Sequence, residues 1–161
     1  MTRLLVLPVL LITLLLGTPA SAADFHKGLV AWKQKDYATA LREFQPLAEQ
    51  GNALAQNYLG VMYDVGKGVT LDYETAVKWF RLSAEQGVAS AQYNLGGMYY
   101  FGKGVTQDYT LAHMWWNIAA SQGSKGARDY RDIVEKKMTP TDKSNGKRLA
   151  RECEKKNYKG C

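Results

Sequence analysis

Apolar residues recur along the chain at the spacing of one face of an α-helix. In residues 53–66 they stand at Ala55, Leu59 and Met62, and the same spacing returns in residues 89–102. Positions three or four residues apart lie on one side of a helix, so each stretch predicts an amphipathic helix. A second helix is predicted after each of these, in residues 72–87 and 108–123, around an alanine and two adjacent aromatic residues.

The whole pattern repeats with a period of 36 residues. Gly51, Gly87 and Gly123 are separated by this interval, and residues 52–87 are identical to residues 88–123 at 19 of 36 positions. A fixed period of this length is typical of proteins built from stacked helix pairs. The sequence therefore predicts two complete copies of one helical unit.

The predicted helices have recognisable ends. Asp72 and Asp108 precede the second helix of each unit, where a carboxylate can accept hydrogen bonds from unpaired backbone amides. Gly87 follows that helix and fits the left-handed position at a helix end. The Gly-Lys-Gly segments at 66–68 and 102–104 predict tight turns between helices. Phosphate binding by these glycines is disfavoured because they recur with the repeat.

Gly60 and Gly96 lie inside predicted helices, although glycine destabilises a helix interior by about 1 kcal/mol relative to alanine. We interpret them as points where a neighbouring helix approaches closely, with Trp79 and Trp115 filling the space beside them. The tryptophans are thus predicted to belong to the core in preference to a ligand cage.

The shared block reads A-x-A-Q-x-x-L-G-x-M-Y-x-x-G-K-G-V-x-x-D-Y in both copies. It resembles the Sel1-like repeat, a relative of the tetratricopeptide repeat. The resemblance implies an all-α fold, a right-handed α-solenoid of stacked antiparallel helix pairs. We place Sel1-like repeats at residues 52–87 and 88–123, and a degenerate N-terminal helical repeat without the glycine turn at residues 24–51.

Residues 124–161 are predicted to form C-terminal capping helices and a tail. One helix spans about residues 125–137, and a second begins at Thr139 and Pro140, with Asp142 completing a capping box. The outer face of these helices is charged, as a repeat array requires of a terminal unit.

The N-terminus, residues 1–23, has the order of a secretory signal peptide. Arg3 precedes an apolar run over residues 4–16, and small residues follow. Cleavage is expected after Ala22 or Ala23, and a retained N-terminal anchor is the alternative. No cysteine stands near this site to accept a lipid. We therefore expect a periplasmic or secreted protein.

Both cysteines, Cys153 and Cys161, lie in the last part of the chain. In an oxidising compartment they are expected to form a disulfide that joins the last helix to the tail. Free redox-active thiols are the alternative, which the absence of a C-x-x-C spacing disfavours.

The positive charge is concentrated in residues 124–161, which contain 12 Lys or Arg and 6 Asp or Glu. Residues 24–123 contain 8 and 9 respectively, a near balance. The excess indicates either weak contact of the tail with an acidic surface or simply the solvated face of a helix, and we favour the latter.

Catalytic chemistry is not indicated by the sequence. Neither His26 nor His113 has a partner at metal-ligand spacing, and His113 is interpreted as a surface or groove residue. No nucleophile elbow or P-loop occurs. We predict no catalytic residues, metal, cofactor or nucleic-acid partner.

The resemblance implies that the first helix of each unit lines a concave face that binds proteins. Candidate residues are positions of this helix that differ between the two copies. They are Asn57, Tyr58, Val61, Asp64, Tyr93, Asn94, Tyr100 and Phe101. Packing of Tyr100 and Phe101 into the next turn or the cap is the alternative.

The predicted function is that of an exported, non-catalytic adaptor or scaffold that binds a protein or peptide, as a monomer or a dimer. One alternative is an envelope hydrolase acting on cell-wall or lactam substrates, as linked to cysteine-rich relatives, although the repeats of this chain lack cysteine. Another is a module that binds glycans or anionic surfaces.

Overall fold

The computed structural model describes residues 23–161, which form eight α-helices and no strand. Residues 1–22 of the predicted signal peptide lie outside the described residues. The helices are α1 (Phe25–Lys33), α2 (Tyr37–Glu49), α3 (Ala53–Val65), α4 (Tyr73–Ala84), α5 (Ala89–Phe101), α6 (Tyr109–Ser121), α7 (Lys125–Glu135) and α8 (Pro140–Lys155). Within residues 23–161, no helix is both long enough and apolar enough to cross a membrane.

The helices pair in chain order, and each pair stacks on the next. The helix pairs are α1 with α2, α3 with α4 and α5 with α6, while α2 packs on α3, α4 on α5 and α6 on α7. This arrangement confirms the predicted all-α superhelix of helix pairs.

Predicted caps hold the second helices at their starts. The Asp72 carboxylate accepts a hydrogen bond of 3.1 Å from the backbone amide of Thr75, and Asp108 accepts two from the amides of Thr110 and Leu111. These bonds satisfy amide groups that have no partner within the helix.

Each Gly-Lys-Gly turn joins the two helices of one unit and packs against the unit before it. Gly104 has a φ of +66° and lies against the preceding unit, where an added Cβ atom would be 2.4 Å from the Tyr73 carbonyl. The Lys103 ammonium lies 4.8 Å from the centre of the Tyr73 ring, and Lys67 makes the same contact with Tyr37 at 5.2 Å. Each turn is therefore a packing element between units.

Aromatic rings cover the glycines inside the first helices. A Cβ atom on Gly60 would lie 2.6 Å from the Phe80 ring, and one on Gly96 would lie 2.6 Å from the Trp116 ring. The expected close approach is present, but it involves the residue after the one predicted in each copy.

The placement of Trp79 and Trp115 beside these glycines was therefore wrong. One position corresponds to a rotation of about 100° around a helix, which carries the side chain to another neighbour. Trp115 is fully buried in the main core, which is formed chiefly by residues of α4 to α8, whereas Trp79 is half-buried against the N-terminal core cluster, which is formed by buried residues of α1 to α3.

Glutamine side chains tie each unit to the one before it. Gln92, fully buried, donates a hydrogen bond of 3.2 Å to the Ala84 carbonyl and accepts one of 2.8 Å from Gln122. Gln56 and Gln86 form the equivalent bond at 2.7 Å one repeat earlier. The units are thus linked by recurring polar contacts as well as by apolar packing.

The last helix departs from the pairing of the repeats, because α8 packs chiefly on α6 instead of on α7. Its Gly146 lies against His113 of α6, where a Cβ atom would be 2.6 Å from Nδ1. His113 is fully buried, so the prediction of a surface or groove residue was wrong. The neighbours of His113 in the sequence are mainly apolar, and they give no indication that α8, a later helix, covers it.

The chain after α8 folds back and is held by the predicted disulfide between Cys153 and Cys161, whose Cα atoms are 5.6 Å apart. The ring of Tyr158 in this tail lies beside Gly87, just after α4, where an added Cβ atom would be 3.1 Å from the ring. The disulfide therefore anchors a segment that touches the first complete repeat.

Candidate functional site

A pocket of about 150 Å³ opens between the first helices of three successive units. Its walls come from α3, α5 and α7, with one side chain of α6 at the base, and we name it the first-helix groove. The aromatic residues that line it are Tyr93, Phe101, Trp116 and Tyr130. The remaining lining residues are Asp64, Asn94, Gly97, Met98 and Lys103.

Four of the predicted candidates line this groove, namely Asp64, Tyr93, Asn94 and Phe101. Phe101 is 60% exposed, the largest exposure among the large apolar residues described. The structure thus brings together candidates that are separated by up to 37 residues in the chain.

Two candidates lie next to the groove but do not line it. Asn57 is buried, and its side-chain oxygen accepts a hydrogen bond of 3.1 Å from the Asn94 side-chain amide. Val61 is half-buried against the main core. Both residues join α3 to α5 and position the groove wall.

The other two candidates pack elsewhere. Tyr58 stacks on Phe44 with ring centres 4.9 Å apart, within the N-terminal core cluster. Tyr100 contacts Tyr109 and Trp116 at 5.4 Å each, and the Lys137 ammonium lies 4.9 Å from its ring centre. The alternative of packing into the next turn or the cap therefore describes Tyr100, which contacts α6 of its own unit and Lys137 of the cap, whereas Phe101 remains exposed.

The base of the groove is rigid. The indole N–H of buried Trp116 donates a hydrogen bond of 2.9 Å to the Tyr93 carbonyl. The Tyr93 ring meets that of Tyr130 edge-on at 5.8 Å, and Tyr130 lies 5.2 Å from Trp116. Burial, followed by the neighbouring Tyr130, raises the pKa of Tyr93, so its hydroxyl stays protonated near neutral pH.

One carboxylate oxygen in the groove lacks a hydrogen-bond donor. Asp64 Oδ1 is buried and accepts no hydrogen bond from any described residue. The nearest cation is Lys103, whose Nζ lies 3.7 Å away, too far for a hydrogen bond. The groove therefore contains a carboxylate that is only loosely paired.

Sequence reasoning missed Tyr130, Lys103 and Gly97. Tyr130 lies 36 residues after Asn94, so extending the repeat alignment into the capping unit would have identified it. Lys103 was interpreted only as part of a turn. Gly97 aligns with Val61, and an added Cβ atom there would meet nothing within 4 Å. The loss of a side chain at this position opens the groove.

The described residues include one histidine–carboxylate contact, which lies away from the groove. His113 Nε2 is 2.8 Å from Glu135 Oε1, and the histidine side chain is completely buried between α6, α7 and α8. Within residues 23–161, no three His, Cys, Asp or Glu side chains form a group that could hold a metal ion.

Comparison with known proteins shows where the repeats belong. Residues 53–88 and 89–124 each match the family described as Sel1 repeat. No curated protein matches the chain.

Two solved structures are similar to this chain. One is c5321, a protective antigen present in uropathogenic Escherichia coli strains and displaying an SLR fold, with 31% identity and a TM-score of 0.76 over 81% of this chain. The other is a Sel1 repeat protein from Oxalobacter formigenes, with 30% identity and a TM-score of 0.67 over 80% of this chain.

The matched regions are 30% and 55% of those two proteins, so this chain spans only part of their length. Proteins with Sel1 repeats generally mediate protein–protein interactions and are typically non-catalytic scaffolds. The chain therefore contains two Sel1 repeats, and its helix-pair superhelix is similar to the folds of both solved structures.

Proposed function

We propose that this protein is an exported, non-catalytic adaptor that binds a segment of a partner protein in the first-helix groove. The observation that carries the proposal is the open pocket at Gly97, lined by aromatic side chains from three units. Aromatic residues around a concave site are the usual source of binding energy in protein interfaces.

The shape and rigidity of the groove support this function. Trp116 and Tyr130 are held by packing and by the hydrogen bond to Tyr93, so little side-chain freedom is lost on binding. Phe101 stands at the rim with most of its surface exposed. A partner segment can therefore bury this ring without a rearrangement of the helices.

Export is proposed together with the adaptor role. The Cys153–Cys161 disulfide is consistent with an oxidising compartment. We accordingly assign the protein to the periplasm or the cell exterior.

Site-specific photocrosslinking tests the proposal. A benzophenone amino acid replaces Phe101 at the groove rim, and in a control variant it replaces Leu82 of α4, which is 46% exposed. In the producing cell, we expect a discrete protein adduct from position 101 that disappears when Gly97→Val fills the pocket. Equal adducts from both positions, or adducts that persist with Gly97→Val, would place the interaction elsewhere.

The basic tail offers a weaker, secondary contact. Arg151, Lys155 and Lys156 are exposed and have no ion-pair partner among the described residues. As the alternative to a purely solvated helix face, we propose that they attract an acidic surface without providing specificity. Binding that depends on the tail should weaken steeply as the salt concentration is raised from 50 to 500 mM, because dissolved ions screen the charges. Binding that does not change with salt would exclude a role for the tail.

A further inference from the structure

The first-helix groove combines aromatic rings with a carboxylate, which is the composition of a site for a cation. Tyr93, Phe101, Trp116 and Tyr130 provide the rings, and Asp64 provides the carboxylate. An ammonium or guanidinium group is attracted to the face of an aromatic ring, most strongly where water is partly excluded. A neighbouring carboxylate adds a direct ionic hydrogen bond.

Asp64 is the group in the groove that lacks a hydrogen-bond donor. Its Oδ1 atom is buried without a hydrogen bond, and a buried acceptor in this state is destabilising. Lys103 forms an ion pair with this oxygen at 3.7 Å but donates no hydrogen bond to it, and its ammonium also lies 4.8 Å from the centre of the Tyr73 ring. A donor brought by a partner would satisfy the oxygen.

The pocket has the size of one side chain. Its volume of about 150 Å³ is similar to that of an engineered protein cavity that binds benzene. It is open because Gly97 replaces the valine found at the equivalent position of the preceding repeat, Val61. The site is therefore specific to the second repeat.

Other guests fit less well. An anionic side chain would be repelled by Asp64, and a purely apolar one would leave Oδ1 without a donor. We infer that the first-helix groove binds a lysine or arginine side chain of the partner segment, with the cation between the aromatic rings and Asp64. This inference rests on the proposed function, because it names the chemistry of the same groove.

The probe is a random dodecapeptide library displayed on phage, selected against the purified full chain with its disulfide intact. Selected peptides are resynthesised with each lysine replaced by norleucine and each arginine by citrulline, which keep the length and remove the charge. Binding is measured to the wild type and to Asp64→Asn, Lys103→Met and Gly97→Val. The thermal unfolding midpoint of each variant verifies that it is folded.

We expect peptides whose binding is lost with Gly97→Val and which depend on one cationic side chain. Removing that charge, or changing Asp64→Asn, should weaken binding at least tenfold, and the two changes together should add little more because they remove the same contact. Lys103→Met should leave binding unchanged or tighter, because it removes a competing ammonium.

The outcomes separate the two proposals. Groove-bound peptides that tolerate norleucine, citrulline and Asp64→Asn would overturn the cation site while leaving the adaptor role intact. Peptides that depend on Lys103 instead of Asp64 would show an anion site and overturn it as well. If no selected peptide is sensitive to Gly97→Val, the groove is not a peptide site, and both proposals fail.

Discussion

The indole ring of Trp116 lies directly on the backbone of Gly96, and a Cβ atom added there would come within 2.6 Å of Nε1. The next residue, Gly97, faces open space, where a Cβ atom would meet nothing within 4 Å. Two adjacent glycines of one helix therefore have opposite roles. Gly96 permits close helix packing, and Gly97 leaves room in the groove.

This contrast predicts opposite effects of alanine at the two positions. Gly96→Ala should lower the free energy of unfolding by about 1–3 kcal/mol, because buried Trp116 must shift and strain its hydrogen bond. Gly97→Ala should raise it by about 0.5–1 kcal/mol, because alanine is the better helix former. Urea unfolding of both variants checks this. Equal changes of the same sign would show that Trp116 does not restrict Gly96.

The repeat could be predicted from the sequence, whereas the rotation of each helix about its own axis could not. The period, the Asp72 and Asp108 caps and the glycine turns are local signals that need no knowledge of neighbours. Which ring covers Gly60 depends on how α4 is rotated against α3. Because Trp79 and Phe80 are adjacent and both aromatic, the hydrophobic pattern does not distinguish them.

The candidate groove was predicted in part, for a related reason. Comparing the two copies identifies positions on the first helices, and Asp64, Tyr93, Asn94 and Phe101 do line the groove. It does not show whether a tyrosine is covered by a neighbouring helix, as Tyr100 is by Tyr109 of α6. Contacts made by the degenerate first unit and by the cap cannot be predicted in this way, because the repeat pattern fades in those segments.

The Gly-Lys-Gly turn between α5 and α6 provides a second test. Gly102 and Gly104 both have a φ of +66°, but a Cβ atom would be 3.3 Å from its nearest neighbour at Gly102 and 2.4 Å at Gly104. Gly102→Ala should cost about 1–2 kcal/mol through backbone strain alone. Gly104→Ala should cost at least about 3 kcal/mol, because the Tyr73 backbone must also move. Similar midpoints in chemical denaturation would contradict this packing.

The disulfide is expected to stabilise the tail substantially. Cys153 and Cys161 are 8 residues apart, and closing a loop of this size restricts the unfolded chain by about 2–3 kcal/mol. Cys161→Ser should therefore lower the thermal midpoint and increase hydrogen exchange around Tyr158, while α3 to α6 stay protected. Reductant should reproduce the effect in the wild type and change nothing in the variant. A reductant-insensitive wild type would argue against the bond.

His113 should make the stability depend on pH below about 7. Burial lowers the pKa of His113 from its ordinary value of 6.5, so the unfolded chain takes up a proton at a higher pH than the folded protein does. The free energy of unfolding should accordingly fall as the pH is lowered through 6.5, by at most about 1.4 kcal/mol per pH unit for this one site. The hydrogen bond from His113 lowers the pKa of Glu135 from 4.5. The stability that the Glu135 carboxylate contributes is therefore lost only at a lower pH, where the carboxylate becomes protonated.

The mechanical reason for this dependence is the packing of α8. Neutral His113 donates its Nε2 hydrogen to Glu135 at 2.8 Å, while the unprotonated Nδ1 is buried against Gly146 and has no hydrogen-bond partner. A second proton would occupy Nδ1 near the positive charges of Lys147 and Arg131 and would weaken the contact between α6 and α8. Chemical unfolding at pH 5, 6 and 7 measures the slope. His113→Gln, which retains a donor for Glu135, should flatten it, whereas His26→Gln on the exposed face of α1 should not; a slope unchanged by His113→Gln would assign the effect to other groups.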